Sequence, residues 1–332
     1  MDNSLGITQN IAWPGLYKNQ RKLLSKQTLL ASSTSNITMA EVIREVREAW
    51  YAYLLNKESL RVLDFQDSLY KGFVNKAEVR VKTGETSNLE LISARNQFQQ
   101  VQALKLGVLA NLANNESILK QLLNTPATLV LVQDKPLVFP ISLDSLSLSK
   151  NAQISAGLQS TEVAKARIAV EKSKGMPDFT LGYSQQLLIS GFNPANISRN
   201  YFPGTRIAGI QVGVALPIFN RANRARVKSE QLSFAIAKTD LLNTKSRLMM
   251  EYNQGIQHYS QYLQSVNYYQ NQGLKQADEQ LRIAQVSFDL GEIGYIEYIQ
   301  NVSSAVQTKL YYIEALSQLN QSAIQIQFIK GE

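Results

Sequence analysis

Side chains able to do chemistry are scarce in this chain. Of 332 residues, one is histidine, His258, and none is cysteine. A dedicated transition-metal site draws on several thiolate or imidazole ligands, so the composition argues against one. The lack of cysteine also excludes disulfides, a thiol nucleophile and an acylated lipoprotein cysteine within the chain. No nucleophile–base pair, phosphate loop or pair of catalytic carboxylates sits on a credible scaffold, so neither enzymatic activity nor a bound cofactor is expected. The charged groups that stand out are arranged around two glycines. One run reads Val81-Lys82-Thr83-Gly84-Glu85-Thr86-Ser87-Asn88-Leu89-Glu90-Leu91-Ile92. The other reads Phe288-Asp289-Leu290-Gly291-Glu292-Ile293-Gly294-Tyr295-Ile296-Glu297-Tyr298-Ile299. Gly84 and Gly291 suit the positive φ of a tight turn between helices. By residue type alone, Glu90 and Glu297 are solvated glutamates near a helix N-terminus, where the helix dipole favours negative charge.

The elements that carry these turns form a repeat. Each copy has an alternating run that ends in proline, Leu5–Pro14 and Ile207–Pro217, then a long proline-free stretch of helical pattern, then the glycine turn. The spacing between the two prolines and that between the two glycines agree to within about one helical turn. A repeat of this length is a duplicated half-domain rather than a solenoid unit of roughly 20–50 residues. All 8 prolines fall at boundaries: Pro14, Pro126, Pro136, Pro140, Pro177, Pro194, Pro203 and Pro217. The run from Pro14 to Gly84, if mostly helical, reaches roughly 100 Å at ~1.5 Å per residue, with polar Ser32–Asn36 as a candidate interruption. Met39, Val42, Val46, Ala49 and Tyr53 step at coiled-coil spacing, as do Leu274, Ala277, Leu281, Ala284 and Phe288. After each turn a helix runs back, Asn88–Asn124 and Tyr295–Ile329, giving two αα-hairpins with unequal arms. A further helix is expected over about Ser149–Lys174, after an irregular connector around Pro126–Pro140.

Three segments read as strands. Leu5, Ile7 and Ile11 belong to one. Phe179, Leu181 and Tyr183 alternate with Thr180, Gly182 and Ser184. Ile210, Val212, Val214 and Leu216 alternate with Gln211, Gly213 and Ala215. One apolar face and one small polar face suits a transmembrane barrel strand, and equally an ordinary antiparallel hairpin on a soluble protein. The stretch from Ile189 to Arg206 reads as a long loop. No run of about 18 apolar residues is present, so any membrane crossing falls to strands. Met1 leads directly into polar residues and a strand, with no signal peptide pattern. Charged residues are 18% and hydrophobic residues 44%, and the sequence is rich in Gln, Asn and Ser. A cytosolic coiled coil carries more Lys and Glu than this. The net charge of +8 has no accompanying nucleic-acid motif and no Lys/Arg cluster interleaved with aromatics, so no nucleic-acid partner is expected.

Taken together, these pieces resemble the TolC-like outer membrane efflux proteins, the exit ducts of tripartite pumps. The resemblance spans nearly the whole chain. It rests on the two turn motifs, on Met176-Pro177-Asp178-Phe179-Thr180-Leu181-Gly182-Tyr183, and on Val214-Ala215-Leu216-Pro217-Ile218-Phe219-Asn220, in the family's order. The stretch Leu63–Phe73 is similar to a narrower group that serves heavy-metal cation pumps of the resistance-nodulation-division type and is sometimes fused behind them. The resemblance implies a mainly α fold with a small antiparallel β part, its long coiled-coil hairpins continuing into transmembrane β-barrel strands. It implies one domain over 1–332, with half-repeats of about 1–125 and 149–332 and a connector at 126–148. The chain holds three strand candidates and lacks the family's leading helical hairpin and first strand. It is therefore expected to be N-terminally incomplete.

The resemblance further implies a homotrimer in the bacterial outer membrane, with its helices in the periplasm. Its expected partners are an inner-membrane pump, a periplasmic adaptor and outer membrane lipid. Passive export of substrates, heavy-metal cations first among them, is the implied function. A duct for drugs or secreted proteins, and a soluble coiled-coil adaptor, are the alternatives. Gly84 and Gly291 would lie at the periplasmic tip, and Glu90, Glu297 and Gln300 at the pore constriction. A ring of three carboxylates there attracts cations and repels anions. Family members often carry a second acid where this chain has Gln300. Arg80, Lys82 and Arg95 read either as tethers of the closed tip or as surface charge. Arg221, Arg224, Arg226 and Lys228, with Lys18, Arg21 and Lys22 in the other copy, fall at the implied barrel–tunnel junction. They read as contacts to phospholipid headgroups or as solvated helix starts.

Overall fold

The computed structural model describes residues 3–129, 138–139, 141, 148–187 and 206–332. In chain order the elements are β1 (Asn3–Ile11), α1 (Pro14–Lys82), α2 (Asn88–Leu122), a short 3-10 turn (Leu148–Lys150), α3 (Ala152–Ser173), β2 (Asp178–Leu187), β3 (Arg206–Ala215), α4 (Arg221–Tyr268), a π-helical turn (Tyr269–Gly273), α5 (Leu274–Asp289) and α6 (Tyr295–Lys330). The fold is mainly helical with a small antiparallel sheet. Most of the predicted connector, and the expected loop up to residue 205, lie outside the described residues; Arg206 opens β3.

Two expectations about the long helices need correction. The polar stretch Ser32–Asn36 does not interrupt α1, which is continuous over 69 residues. Thr34 Oγ1 bonds back along the helix to the Leu30 carbonyl at 3.0 Å, and the buried Ser33 hydroxyl lies 3.5 Å from that of Ser155 on α3. The stretch before Gly291, in contrast, is not a single α-helix. A five-residue π turn separates α4 from α5. Gly273 closes it, and a Cβ there would lie 2.9 Å from the Tyr269 ring. π turns inside long helices hold one extra residue per turn and shift the face presented beyond them. The seam residues on α1 are also less covered than their spacing suggests. Ala49 is buried, whereas Met39 and Val42 are exposed.

The chain divides into two compact units. The first contains residues 1–36 and 152–245. Its sheet has the order β1-β2-β3, with both neighbouring pairs antiparallel. Ile7, Tyr183 and Ile210 stand in register, as do Gln9, Leu181 and Val212, and Ile11, Phe179 and Val214. Because side chains alternate faces along a strand, these rows share one face. The other face carries rows such as Thr8, Gly182 and Gln211, and Asn10, Thr180 and Gly213. The apolar face is bare: Ile210 is 78% exposed, and Leu5, Ile7, Leu181, Val212 and Val214 are exposed with it. The first and third strands each leave one edge unpaired among the described residues. In the helical part of this unit, α3 buries Ile154, Val163, Ala164, Ala166 and Val170. Gly157 leaves room for Leu241, whose Cδ1 would sit 2.8 Å from a Cβ at that position.

The second unit contains residues 37–151 and 246–332. Its core forms around α6, whose Val302, Ala305, Leu319, Ala323, Ile326 and Ile329 are almost wholly buried. One cluster joins Tyr70, Phe73 and Ala77 of α1, Ala94 and Val101 of α2, Ala284 of α5, and Tyr295, Tyr298 and Val302 of α6. A second joins Leu55, Val266, Ile313, Leu316 and Leu319. At roughly 1.5–3 kcal/mol for each large apolar side chain taken out of water, these clusters are the main force holding the helices of this unit together. Ion pairs add direction. Lys105 on α2 meets Asp64 at 2.9 Å and Asp67 at 3.1 Å on α1, and Lys309 meets Asp278 at 2.6 Å.

Candidate functional site

The two glycine turns have the same backbone. Gly84 has φ 75° and Gly291 φ 76°, the left-handed region that glycine enters without the Cβ penalty. In the first turn the Glu85 N–H donates to the Arg80 carbonyl at 2.8 Å and the Gly84 N–H to the Val81 carbonyl at 3.1 Å. In the second, Glu292 donates to Ser287 at 2.8 Å and Gly291 to Phe288 at 3.1 Å. These paired bonds satisfy carbonyls that the ending helix leaves without partners. The chain then restarts as helix from the extended residues Ser87 and Gly294. This places Glu90 and Glu297 in the first turns of α2 and α6.

The side chains around the two turns are not equivalent. In the first, Arg80 lies 3.2 Å from Glu90 and 3.8 Å from Glu85. Thr86 Oγ1 also donates to the Glu90 carboxylate, whose side chain is only 16% exposed. Nearby, Arg95 bonds Glu78 at 2.7 Å, and this hydrogen bond holds the Glu78 carboxyl below its usual range. Lys82 is exposed, and its charge acts in the same direction on Glu78. The position matching Arg80 in the second turn is Ser287, which donates to Glu292 at 2.8 Å. Glu297 is exposed and has no ion-pair partner among the described residues. It lines a groove of about 560 Å³ with Lys275, Gln276, Gln280 and Asn301. Gln300 is exposed on the same helix. Of the sequence-predicted acids, Glu90 is thus ion-paired and Glu297 has no such partner among the described residues.

An aromatic cluster that the spacing did not single out supports the turns. Phe73 packs edge-on to Tyr298 at 4.8 Å between ring centroids and to Phe288 and Tyr295 at 5.9 Å. The Phe288 and Tyr298 rings stack at 4.8 Å. The hydroxyl of Tyr298 donates to Gln285 at 2.5 Å, and that of Tyr70 shares a 2.7 Å bond with Ser303. Burial, aided by the negative charge of Asp289, pushes the Tyr298 hydroxyl up to about 12. Burial also raises Tyr295, whose oxygen is buried with no hydrogen-bond partner among the described residues. The signal in the sequence was the crowding of Phe and Tyr beside both turns. Heptad spacing alone does not bring Phe73 together with residues of the other turn.

The remaining sequence-predicted residues lie apart from the turns. His258 is exposed and stacks on Tyr262 at 6.4 Å. Arg221, Arg224, Arg226 and Lys228 are exposed at the start of α4, whose first turn has no acidic residue.

A family model for the outer membrane efflux protein matches residues 143–332, more than half of the chain. The chain belongs to this family. It is a family of efflux proteins of the outer membrane and not of enzymes. Solved structures agree in fold. A membrane protein from Pseudomonas aeruginosa superposes with a TM-score of 0.79 at 15% identity, covering 100% of this chain and 81% of that one. The outer membrane channel CmeC from Campylobacter jejuni gives 0.79 at 14% identity, covering 100% and 78%. CusC, a protein that forms a transmembrane channel, gives 0.78 at 14% identity, covering 100% and 83%. Likeness at such identities shows the fold alone. No curated protein matches the sequence. No helix among the described residues is long and apolar enough to cross a membrane.

Proposed function

We propose that this efflux protein is a protomer of a trimeric outer membrane duct that passively carries heavy-metal cations delivered by an inner-membrane pump and a periplasmic adaptor. The observation that carries the reading is the sheet. It pairs an exposed apolar face with a face rich in Gly, Ser, Thr, Asn and Gln, and both edges are open among the described residues. Open edges with an apolar face are an aggregation hazard in water. They are what a barrel strand needs when other copies pair with the edges and lipid covers the face. Exposed aliphatics on the helices, among them Leu24 on α1 and Leu232 and Ile236 on α4, are further surface for neighbouring copies to cover. We assign the whole chain to one domain of two related halves joined near 126–148, with Gly84 and Gly291 at the periplasmic tip.

Within the duct we assign the constriction to Glu297, with Gln300 adding polarity and no charge. Glu90, held by Arg80, contributes little net field. Three free carboxylates in a narrow pore favour cations, which agrees with the similarity of Leu63–Phe73 to the metal-efflux group. The pump selects the cargo, so the test is genetic. Deletion of the gene should raise sensitivity to heavy-metal salts several-fold and leave drug tolerance unchanged. A drug phenotype alone would replace the metal cargo but keep the duct. Recovery of the protein as a monomer in the soluble fraction without detergent would overturn the duct.

A further inference from the structure

We propose that the groove between the start of α1 and the end of α3 binds the anionic headgroup of a phospholipid in the leaflet nearer the helices. This inference rests on the outer membrane reading above. The groove has a volume of about 320 Å³, and its walls include Asn19 and Lys22 from α1 and Glu162, Lys165, Ala169 and Lys172 from α3.

Two cross-links fix the walls. At the end nearer the sheet, Asn19 Nδ2 donates to Ser173 Oγ at 2.7 Å and to the Ala169 carbonyl at 3.4 Å. Farther along, Lys26 meets Glu162 at 3.4 Å. That second link takes up the one acidic side chain among the groove-lining residues. Lys22, Lys165 and Lys172 are exposed and have no ion-pair partner among the described residues. Lys18, Lys22 and Lys26 recur at helical spacing on one wall, and Lys165 and Lys172 lie a heptad apart on the other, so each set shares a face. Like charges held on facing walls repel one another, and an anion between them removes the cost. Lysine ammoniums suit phosphate as point charges that need no planar partner.

Position separates a lipid headgroup from a generic anion. The α1 helix starts immediately after β1, and α3 ends just before β2. At that junction Trp13 is exposed and stacks on Phe179 at 6.2 Å, and Phe219 is 95% exposed. Exposed aromatics next to an apolar strand face mark the level of the membrane–water boundary. Lys22 lies ~12 Å along α1 from Pro14 at 1.5 Å per residue. The headgroup layer is about 5–8 Å deep on each side of the hydrocarbon, and a lysine stem bridges the remaining few ångströms. The groove therefore opens at headgroup depth.

The test uses the full chain reconstituted in nanodiscs of phosphatidylcholine, with phosphatidylglycerol titrated in and its enrichment around the protein measured. The triple variant K22Q/K165Q/K172Q is compared with the charge-matched control K71Q/K238Q/K245Q. At about fivefold per lysine near an anionic surface, the triple variant should lose enrichment by roughly 100-fold, and the control should lose much less. Equal loss in both variants would reduce the effect to net charge and overturn the site. Unchanged enrichment in the triple variant would overturn it as well. Competition by inorganic phosphate at low millimolar concentration would reassign the groove to a free anion. A wild-type chain that does not enter nanodiscs at all sinks the outer membrane reading itself. A chain that enters but shows no phosphatidylglycerol preference sinks only this inference.

Discussion

Two glutamates at matching positions have different electrostatic fates, and a single residue decides between them. Arg80 lies 3.2 Å from Glu90, whereas Ser287 stands at the matching position and Glu297 has no ion-pair partner among the described residues. The two should therefore respond differently to neutralisation. In planar bilayers, Glu297→Gln should lower cation-over-anion selectivity, read as a reversal potential that moves toward zero in a salt gradient. Glu90→Gln should change selectivity less, because Glu85, 3.8 Å from Arg80, remains to take up the guanidinium charge that the change releases. Equal effects of the two variants would contradict the assignment. Both Glu90 and Glu297 were legible in the sequence, because the turn motif repeats. The pairing of one and not the other was not, because the partner sits on the preceding helix and reaches across the turn.

At the level of elements, the turns show how far local rules extend. A glycine after a helical run predicts a left-handed cap, and both glycines have it. No atom lies within 4 Å of a Cβ built at Gly84 or Gly291, so backbone conformation alone demands glycine there. Gly291→Ala should therefore destabilise the tip by about 1 kcal/mol, the left-handed penalty for a residue with a Cβ. A urea titration followed by circular dichroism would read this as a lower midpoint with an unchanged slope. The π turn at Tyr269–Gly273 escaped the sequence. Within it the Tyr269 ring packs close against Gly273, a contact that periodicity of apolar residues does not record. The continuity of α1 through Ser32–Asn36 was missed for a related reason. The Thr34 hydroxyl bonds back to the preceding turn, and the Ser33 hydroxyl finds a partner, Ser155, that is remote in sequence.

For the whole molecule, the sheet sets the strongest constraint. Its apolar face is exposed over three strands in register, and no helix among the described residues covers it. If lipid covers it, charge on the two faces must have opposite consequences. Ile210→Lys should impair assembly into outer membranes, at a cost of up to about 2–4 kcal/mol near the bilayer midplane. Gln211→Lys, on the other face, should assemble normally. Heat-modifiable migration of the extracted protein on gels would separate the two outcomes. Equal assembly of the two variants would contradict a lipid-covered apolar face.

By itself the sequence determined what depends on neighbours along the chain: the long helices, the alternating strands and the positive-φ glycines. Those follow from periodicity and from residue types that the backbone tolerates. Only the tertiary structure decided which charges are spent on partners. It neutralised Glu90 and left Glu297 free. It gathered Phe73, Phe288 and Tyr298 into one aromatic knot and set three lysines around a single groove. Each of these arises where residues far apart in sequence come within a few ångströms. Pairing energy falls so steeply with distance that no pattern along the chain can foretell it.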